Sequence, residues 1–291
     1  MSMGRLEDYR AAIDAALAKM LPEDTAVCPG LNSGERYSLN APGKRIRPVL
    51  TLEFARLCGM ETGATLPIAC AVEMLHTYSL IHDDLPCMDN DTLRRGRPTN
   101  HVVYGECNAV LAGDSLQADA FSAILDSPLP PERRAECARL LARAAGSSGM
   151  CAGQYFDTNP GSLGEMDAQR LQRVHELKTG ALLKCACMLG CAAAGAGRDK
   201  ASAAERFGGY LGLAFQARDD LLDHISTTEV LGKTTGTDER DGKVTFVTLL
   251  GEERCAELVT EWTQEAKRSL SGFDDAGFLL SLADSLAGRM K

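Results

Sequence analysis

Aromatic residues are scarce, 5% of the chain with a single Trp, and no segment alternates apolar and polar residues for long between hairpin turns, which argues against a β-sandwich or barrel. Basic residues are in deficit, 31 Lys and Arg against 40 Asp and Glu for a formal charge of -9. That excludes the basic face of a general nucleic-acid binder. Eleven cysteines are present, an odd number, yet no C-x-x-C pair occurs, so a disulfide framework is not indicated and free thiols point to a reducing compartment. No G-x-G-x-x-G follows a strand. Gly242-Lys243 resembles the end of a P-loop, but Val244 stands where Ser or Thr belongs and Gly236 is one position too far away. Residues 1–20 mix charged and apolar positions, unlike a secretory signal. The most apolar stretch, 180–197, is interrupted by Lys184 and built mainly of Ala, Cys and Gly, weak material for a span of about 20 apolar residues. The expectation is a cytoplasmic protein without a membrane span.

What is present is helical. Hydrophobic residues make up 45% and charged residues 24% of 291 positions, an ordinary globular balance. Phe207, Leu211, Phe215 and Leu222 fall on one helical stripe, and Met74, Tyr78 and Ile81 on another. Breakers stand at Ala41-Pro42-Gly43, Gly96-Arg97-Pro98, Ser127 to Pro131 and Asn159-Pro160-Gly161. With no repeat and no linker, the chain reads as one all-α domain over residues 1–291. Cys185, Cys187 and Cys191 sit in an Ala/Leu-rich run, where helix packing is the better reading than a zinc site.

Two acidic clusters stand out: His82-Asp83-Asp84-Leu85-Pro86-Cys87-Met88-Asp89-Asn90-Asp91 and Gln216-Ala217-Arg218-Asp219-Asp220-Leu221-Leu222-Asp223. Asp219 and Asp223 are four apart and share a helix face, a repulsive arrangement that calls for a compensating cation. Asp83 and Asp89 are six apart and would diverge on an ideal helix. A bulge at Pro86 is expected to bring them to one side. An isolated D-D-x-x-D is most simply a solvated helix face. Two such clusters, each preceded by apolar residues, instead suggest carboxylates neutralised by hard cations, for which Mg²⁺ bridging a diphosphate is well suited.

Cations supply the complement: Lys44, Arg45 and Arg47 before one helix, Arg94, Arg95 and Arg97 after the first acidic cluster, then Lys178, Lys233 and Lys243. Arg45 and Arg97 read equally well as solvated surface. Arginine forks pair with phosphate oxygens. The number of cations exceeds the need of one diphosphate, which suggests two anionic sites, one built through metal and one read directly by Lys and Arg.

The segments Gly43-Lys44-Arg45-Ile46-Arg47-Pro48, the D-D-x-x-x-x-D with Arg94-Arg95-Gly96-Arg97-Pro98-Thr99, Lys178-Thr179-Gly180, and Phe215-Gln216 before D-D-x-x-D resemble the trans-isoprenyl diphosphate synthases, in the family's order over most of the chain. Gly232-Lys233 and Gly242-Lys243 fit the same pattern. Four residues between the paired and final Asp of the first motif are similar to bacterial farnesyl diphosphate synthases. Val247 replaces a common Pro, and Asn90 and Thr92 interrupt a run that is often more acidic.

The resemblance implies a helical bundle around a deep central cavity and a homodimer. It implies that Asp83, Asp84 and Asp89 hold two Mg²⁺ ions, and that Asp219, Asp220 and Asp223 hold a third, with Mn²⁺ as a possible substitute. Arg94, Lys178 and Lys233 would assist the allylic diphosphate. Lys44, Arg47, His76 and Arg95 would bind isopentenyl diphosphate, with Lys243 among the substrate-binding lysines. Thr179 and Gln216 would flank the reacting carbons, and Phe215 would pack near the homoallylic substrate. Tyr78, with Ser79 beside it, would form a floor roughly 7–8 Å from Asp83 along the helix, which favours a C15 product, although an ordinary core tyrosine explains it too. The implied reaction ionises the allylic diphosphate, joins it to isopentenyl diphosphate and loses a proton. A geranylgeranyl diphosphate synthase, a terpene cyclase and a non-catalytic synthase subunit are the alternatives. The intact acidic residues speak against the last, and the second D-D-x-x-D with Lys44, Arg47 and His76 against the cyclase.

Overall fold

A computed structural model of the protein describes residues 2–21, 27–225 and 244–288. The chain folds into helices α1 (Ser2–Met20), α2 (Pro29–Leu39), α3 (Ile46–Leu57), α4 (Thr62–Asp83), α5 (Asn100–Tyr104), α6 (Glu106–Leu125), α7 (Pro131–Ala145), α8 (Met150–Thr158), α9 (Ala168–His175), α10 (Ala181–Ala194) and α11 (Arg198–Ile225). After these come α12 (Phe246–Leu250), α13 (Glu252–Ser269) and α14 (Gly277–Gly288). Helix ends follow local chemistry. Pro29 and Pro131 open α2 and α7, where a missing N–H costs nothing. The Asp167 carboxylate caps α9 by accepting from the Arg170 N–H at 2.8 Å, and Gly195 closes α10 at φ 69°. Three of the four expected breakers are connections: 41–43 joins α2 to α3, 127–130 joins α6 to α7, and Pro160–Leu163 is a single 3-10 turn, whereas Arg97–Pro98 is a strand.

One large apolar cluster runs through the bundle, with Phe54 of α3, Met74 of α4, Leu116 of α6, Leu141 of α7, Leu189 of α10 and Phe207 of α11 all buried in it. A second, smaller one joins Ala217 of α11 to Phe246 of α12 and Trp262 of α13. Cys185, Cys187 and Cys191 are buried packing residues, and burial pushes the first two thiols far up. Among the described residues no group of three His, Cys, Asp or Glu side chains stands ready to enclose a metal.

Two stretches are long and apolar enough to cross a bilayer, Thr62–Asp83 and Ala168–Ala194, but 67% and 61% of their most apolar windows lie inside the bundle. They are core helices, apolar on more than one face because they have neighbours on more than one side.

Two local expectations are corrected. A two-stranded antiparallel ribbon, β1 (Leu93–Arg94) and β2 (Arg97–Pro98), follows the first acidic cluster. It turns through Arg95 and Gly96, both at positive φ, and is too short to show a period of two. Arg45 is not solvated surface. It is buried, with its guanidinium donating to Asp14 at 2.9 Å, Glu73 at 2.8 Å and the Leu39 and Ala41 carbonyls. Arg97 does stay near the surface, stacked over the Tyr37 ring at 4.3 Å.

Candidate active site

α4 does not bulge through Pro86. It ends at Asp83, and the chain folds back so that the Asp89 N–H donates to the Asp83 carbonyl at 2.9 Å. Asn90, at φ 53°, completes the turn by donating to the Leu85 carbonyl. The fold-back brings Asp89 next to Asp83, the outcome expected of a bulge but by a different route. Burial, reinforced by the charges of Asp89 and Asp84, pushes the Asp83 carboxyl up to about 6 against the opposing pull of Lys178 and Arg94. Asp84 is buried and accepts from Arg94 Nε at 2.7 Å; burial also raises its carboxyl, opposed by that arginine. Arg94 reaches Asp91 as well, at 3.6 Å.

Arg94 ends the first strand of the ribbon and Arg95 opens its positive-φ turn, so the two arginines meet different partners. Arg94 turns to the acids. Arg95 donates to the Pro42 carbonyl at 3.0 Å and lies over Gly43, where a Cβ would stand 2.7 Å from its Nη1. It thereby joins Arg47 in the first turn of α3 and His76 on α4. The clustering shows in their titration: burial lowers the Arg47 guanidinium to about 10, with Glu73 opposing and Arg95 adding to the fall. Burial holds the His76 imidazole well below its usual range, helped by Arg47, Arg95 and Arg94, which disfavours its charged form. Arg47 Nε is closed off from solvent and has no hydrogen-bond partner. Lys44 is exposed at the rim, and its carbonyl accepts from Arg10 at 3.1 Å. A cavity between α4 and the ribbon is lined by Thr77, Asp84, Arg94 and Arg95.

A single π-helical turn, Glu176–Gly180, links the two acidic clusters, in keeping with the habit of such turns to occur at functional sites. Lys178 lies close enough to Asp83 to oppose the rise of its carboxyl. Thr179 donates its hydroxyl to Gln216 Oε1 at 3.1 Å, and Gln216 Nε2 donates to Asp220 Oδ1 at 3.2 Å. Asp220 Oδ2 accepts from the Phe246 N–H at 2.9 Å. Asp220 is therefore bonded within the protein through both oxygens. Asp223, one turn on, has a buried Oδ1 without a hydrogen-bond partner. Asp219 and Phe215 are partly buried on the same helix. The turn lies close to α11 because Gly212 has no Cβ: one there would stand 2.9 Å from Gly180 Cα.

Tyr78 is buried on α4, its ring edge-on to His82 at 5.4 Å and its hydroxyl 3.6 Å from Cys151 Sγ. The Ser79 hydroxyl is turned back onto the His76 carbonyl at 2.8 Å. Lys233 and Lys243, with Gly232 and Gly242, lie outside the described residues.

α8 supplies residues that the sequence reading passed over. Asp157 accepts from Lys178 Nζ at 2.6 Å, and Gln154 has a buried Nε2 without a partner beside it on the same helix. Gly153 admits the π turn: a Cβ there would stand 2.1 Å from Lys178 N. An amide and a carboxylate three apart behind a glycine, in an otherwise apolar segment, were the available signal.

The profile of the polyprenyl synthetase family matches residues 30–270. The chain belongs to that family, the trans-isoprenyl diphosphate synthases. It is 41% identical to farnesyl diphosphate synthase of Geobacillus stearothermophilus over 288 residues, covering 98% of this chain and 96% of that one. It is 45% identical over 263 residues to a chloroplastic geranylgeranyl pyrophosphate synthase of Capsicum annuum, covering 89% of this chain and 71% of that one. A solved FPP/GFPP synthase from Zymomonas mobilis superposes with a TM-score of 0.88 at 34% identity, covering 99% of this chain and all of that one. The protein is thus a prenyltransferase with the all-α isoprenoid synthase fold. The donor set fits a hard divalent cation: the candidate ligands are all carboxylates, Asp83 is kept from ionising easily by burial and like charge, and the Asp223 Oδ1 is orphaned.

Proposed function

We propose that the protein is a magnesium-dependent synthase that condenses dimethylallyl or geranyl diphosphate with isopentenyl diphosphate to give farnesyl diphosphate. The observation that carries this reading is the single π turn whose Lys178 acts on one acidic cluster while Thr179 and Gln216 join it to the other. Asp83, Asp84, Asp89, Asp219, Asp220 and Asp223 are the residues to hold magnesium, with Asp220 acting chiefly as a positioning group because both its oxygens are already bonded. When bound, the metal neutralises charge on the diphosphate leaving group.

The chain's own groups account for the rest. Arg94 and Lys178 add fixed positive charge where the C–O bond of the allylic substrate breaks. The Thr179 hydroxyl donates its hydrogen bond to Gln216, so it presents lone pairs to the allylic cation. Arg47, Arg95 and His76, with Lys44 at the rim, hold the diphosphate of isopentenyl diphosphate and aim its double bond at that cation. The proton released on C–C bond formation passes to the departed diphosphate, and closure against water prevents capture of the cation as an alcohol. Lys233 and Lys243 join the anion-binding groups in this reading.

Tyr78 supports a C15 product: it is a bulky side chain, held by His82 and Cys151, about 7.5 Å along α4 from Asp83. Exposed Val102, Val103, Val110 and Leu111 on α5 and α6 support a homodimer of single-domain subunits through that face, and a cytoplasmic location accompanies the reading. The test is incubation with Mg²⁺, isopentenyl and dimethylallyl diphosphates, followed by product-length analysis. Farnesyl diphosphate is expected from the native chain and C20 or longer from Tyr78→Ala. A native C20 product would replace the farnesyl reading with the geranylgeranyl one, and no condensation would reject both.

A further inference from the structure

At the ends of α3 and α10 remote from the site, two thiols touch. Cys58 Sγ lies 3.9 Å from Cys191 Sγ. The helices that bring them there are in backbone contact: a Cβ on Gly190 would stand 2.4 Å from the Thr51 carbonyl oxygen and 2.7 Å from Ala55 N. The Thr51 hydroxyl pins the register by donating to the Ala186 carbonyl at 3.0 Å. Thr51 meets Ala186 and Cys58 meets Cys191, so the helices run parallel. Their N-terminal ends both reach the site, α3 with Arg47 and α10 just after Lys178 and Thr179.

Cys58 caps α3 and is partly exposed, whereas Cys191 is buried and its thiol donates to the Lys200 carbonyl at 3.8 Å. A disulfide needs sulfurs about 2.0 Å apart, and the remaining gap is on the scale of a side-chain rotation. Cys58 donates to Cys191 Sγ, whose own S–H is turned to the Lys200 carbonyl; the contact with Cys191 holds the Cys58 thiol below its usual range against burial, with help from the charge of Lys200. The more accessible sulfur, Cys58, is the one a dissolved oxidant meets first.

We propose that Cys58 and Cys191 form an oxidation site that takes up an intramolecular disulfide, clipping α3 to α10, when the protein meets a peroxide or a small-molecule disulfide. With hydrogen peroxide, the Cys58 sulfur attacks one peroxide oxygen, giving a sulfenic acid and one water. The Cys191 sulfur then attacks that sulfur, forming the S–S bond and releasing a second water. Two thiols lose two electrons and two protons, and one peroxide becomes two waters. With a small-molecule disulfide, two exchange steps give the same bond and two released thiols. The clip encloses a long loop, so it constrains the unfolded chain strongly. The site residues lie about 16 Å up α3.

The test treats the purified full chain with hydrogen peroxide or oxidised glutathione, blocks remaining thiols, and maps the peptides by mass spectrometry. The expected result is a Cys58–Cys191 cross-link and the loss of two of the eleven thiols. Tm should rise by about 5 °C or more and fall back on reduction, with kcat changed less than about twofold given the separation along α3. Cys58→Ser and Cys191→Ser should each remove both the cross-link and the Tm rise. Oxidation confined to exposed Cys28, Cys87, Cys107 or Cys151 would overturn the proposal. So would Cys58 ending as a sulfinic acid or a glutathione adduct, or a Tm rise that survives in either variant.

Discussion

The acidic and cationic halves of the site are held in opposite ways. Three of the six carboxylates are already engaged by the protein: Asp84 by Arg94, Asp83 under the influence of Lys178, and Asp220 by Gln216 and the Phe246 N–H. The cations around α3 are compressed against one another. Arg47 has a buried Nε without a partner, and burial, helped by the arginines around it, holds the His76 imidazole well below its usual range. Glu73, whose charge acts on Arg47, is already bonded to Arg45 at 2.8 Å. Unsatisfied buried cations cost folding free energy, so this half is built for an anion that arrives, while the other is built to keep its acids in place until one does.

Substitutions can break this contrast. Asp83→Ala should have the largest effect, lowering kcat by about 1,000-fold with a smaller change in KM for isopentenyl diphosphate, read from steady-state kinetics. Arg47→Ala should act the other way, raising KM for isopentenyl diphosphate by about 100-fold through loss of a desolvated charge contact. The Tm of the ligand-free protein should hold or rise, because a poorly satisfied charge has been removed. Asp220→Ala should cost about 2–3 kcal/mol in urea unfolding, since it strands the Phe246 N–H and the Gln216 amide.

The smallest effect is outside the site. Burial raises the Glu35 carboxyl above its usual range, with a hydrogen bond from Ser115 opposing and the charge of Asp119 adding to the rise; one of its oxygens lacks a partner. A raised folded-state pKa means the ionised form opposes folding. This carboxyl's contribution is therefore fully present below pH about 4.5 and lost as pH rises through the folded value. Glu35→Gln should stabilise the protein by about 1 kcal/mol near pH 7.5, and the gain should vanish as unfolding is repeated toward pH 4.

Much of this was legible in the chain. The stripes through Met74 and Phe207 place α4 and α11 in the core, and most of the breakers mark connections, because both signals are local. The adjacent Arg94 and Arg95 do sort to different partners. Three features were hidden, two because they depend on contacts far along the chain and one because it depends on the exact path of a turn. Arg45 is structural because Glu73 and Asp14 come to meet it. Asp157 matters because Lys178 reaches it from a turn that Gly153 admits. Six-residue spacing could not show that Asp89 returns to Asp83 through a backbone hydrogen bond.

The contrast between the two halves is tested most directly by calorimetric titration of each substrate, alone, with Mg²⁺ and then with the metal removed by EDTA. Isopentenyl diphosphate should bind with similar affinity in both conditions, because Arg47, His76 and Arg95 need no ion. A non-ionisable allylic diphosphate analogue should bind only with the metal. Equal dependence of both ligands on Mg²⁺, or of neither, would contradict the account.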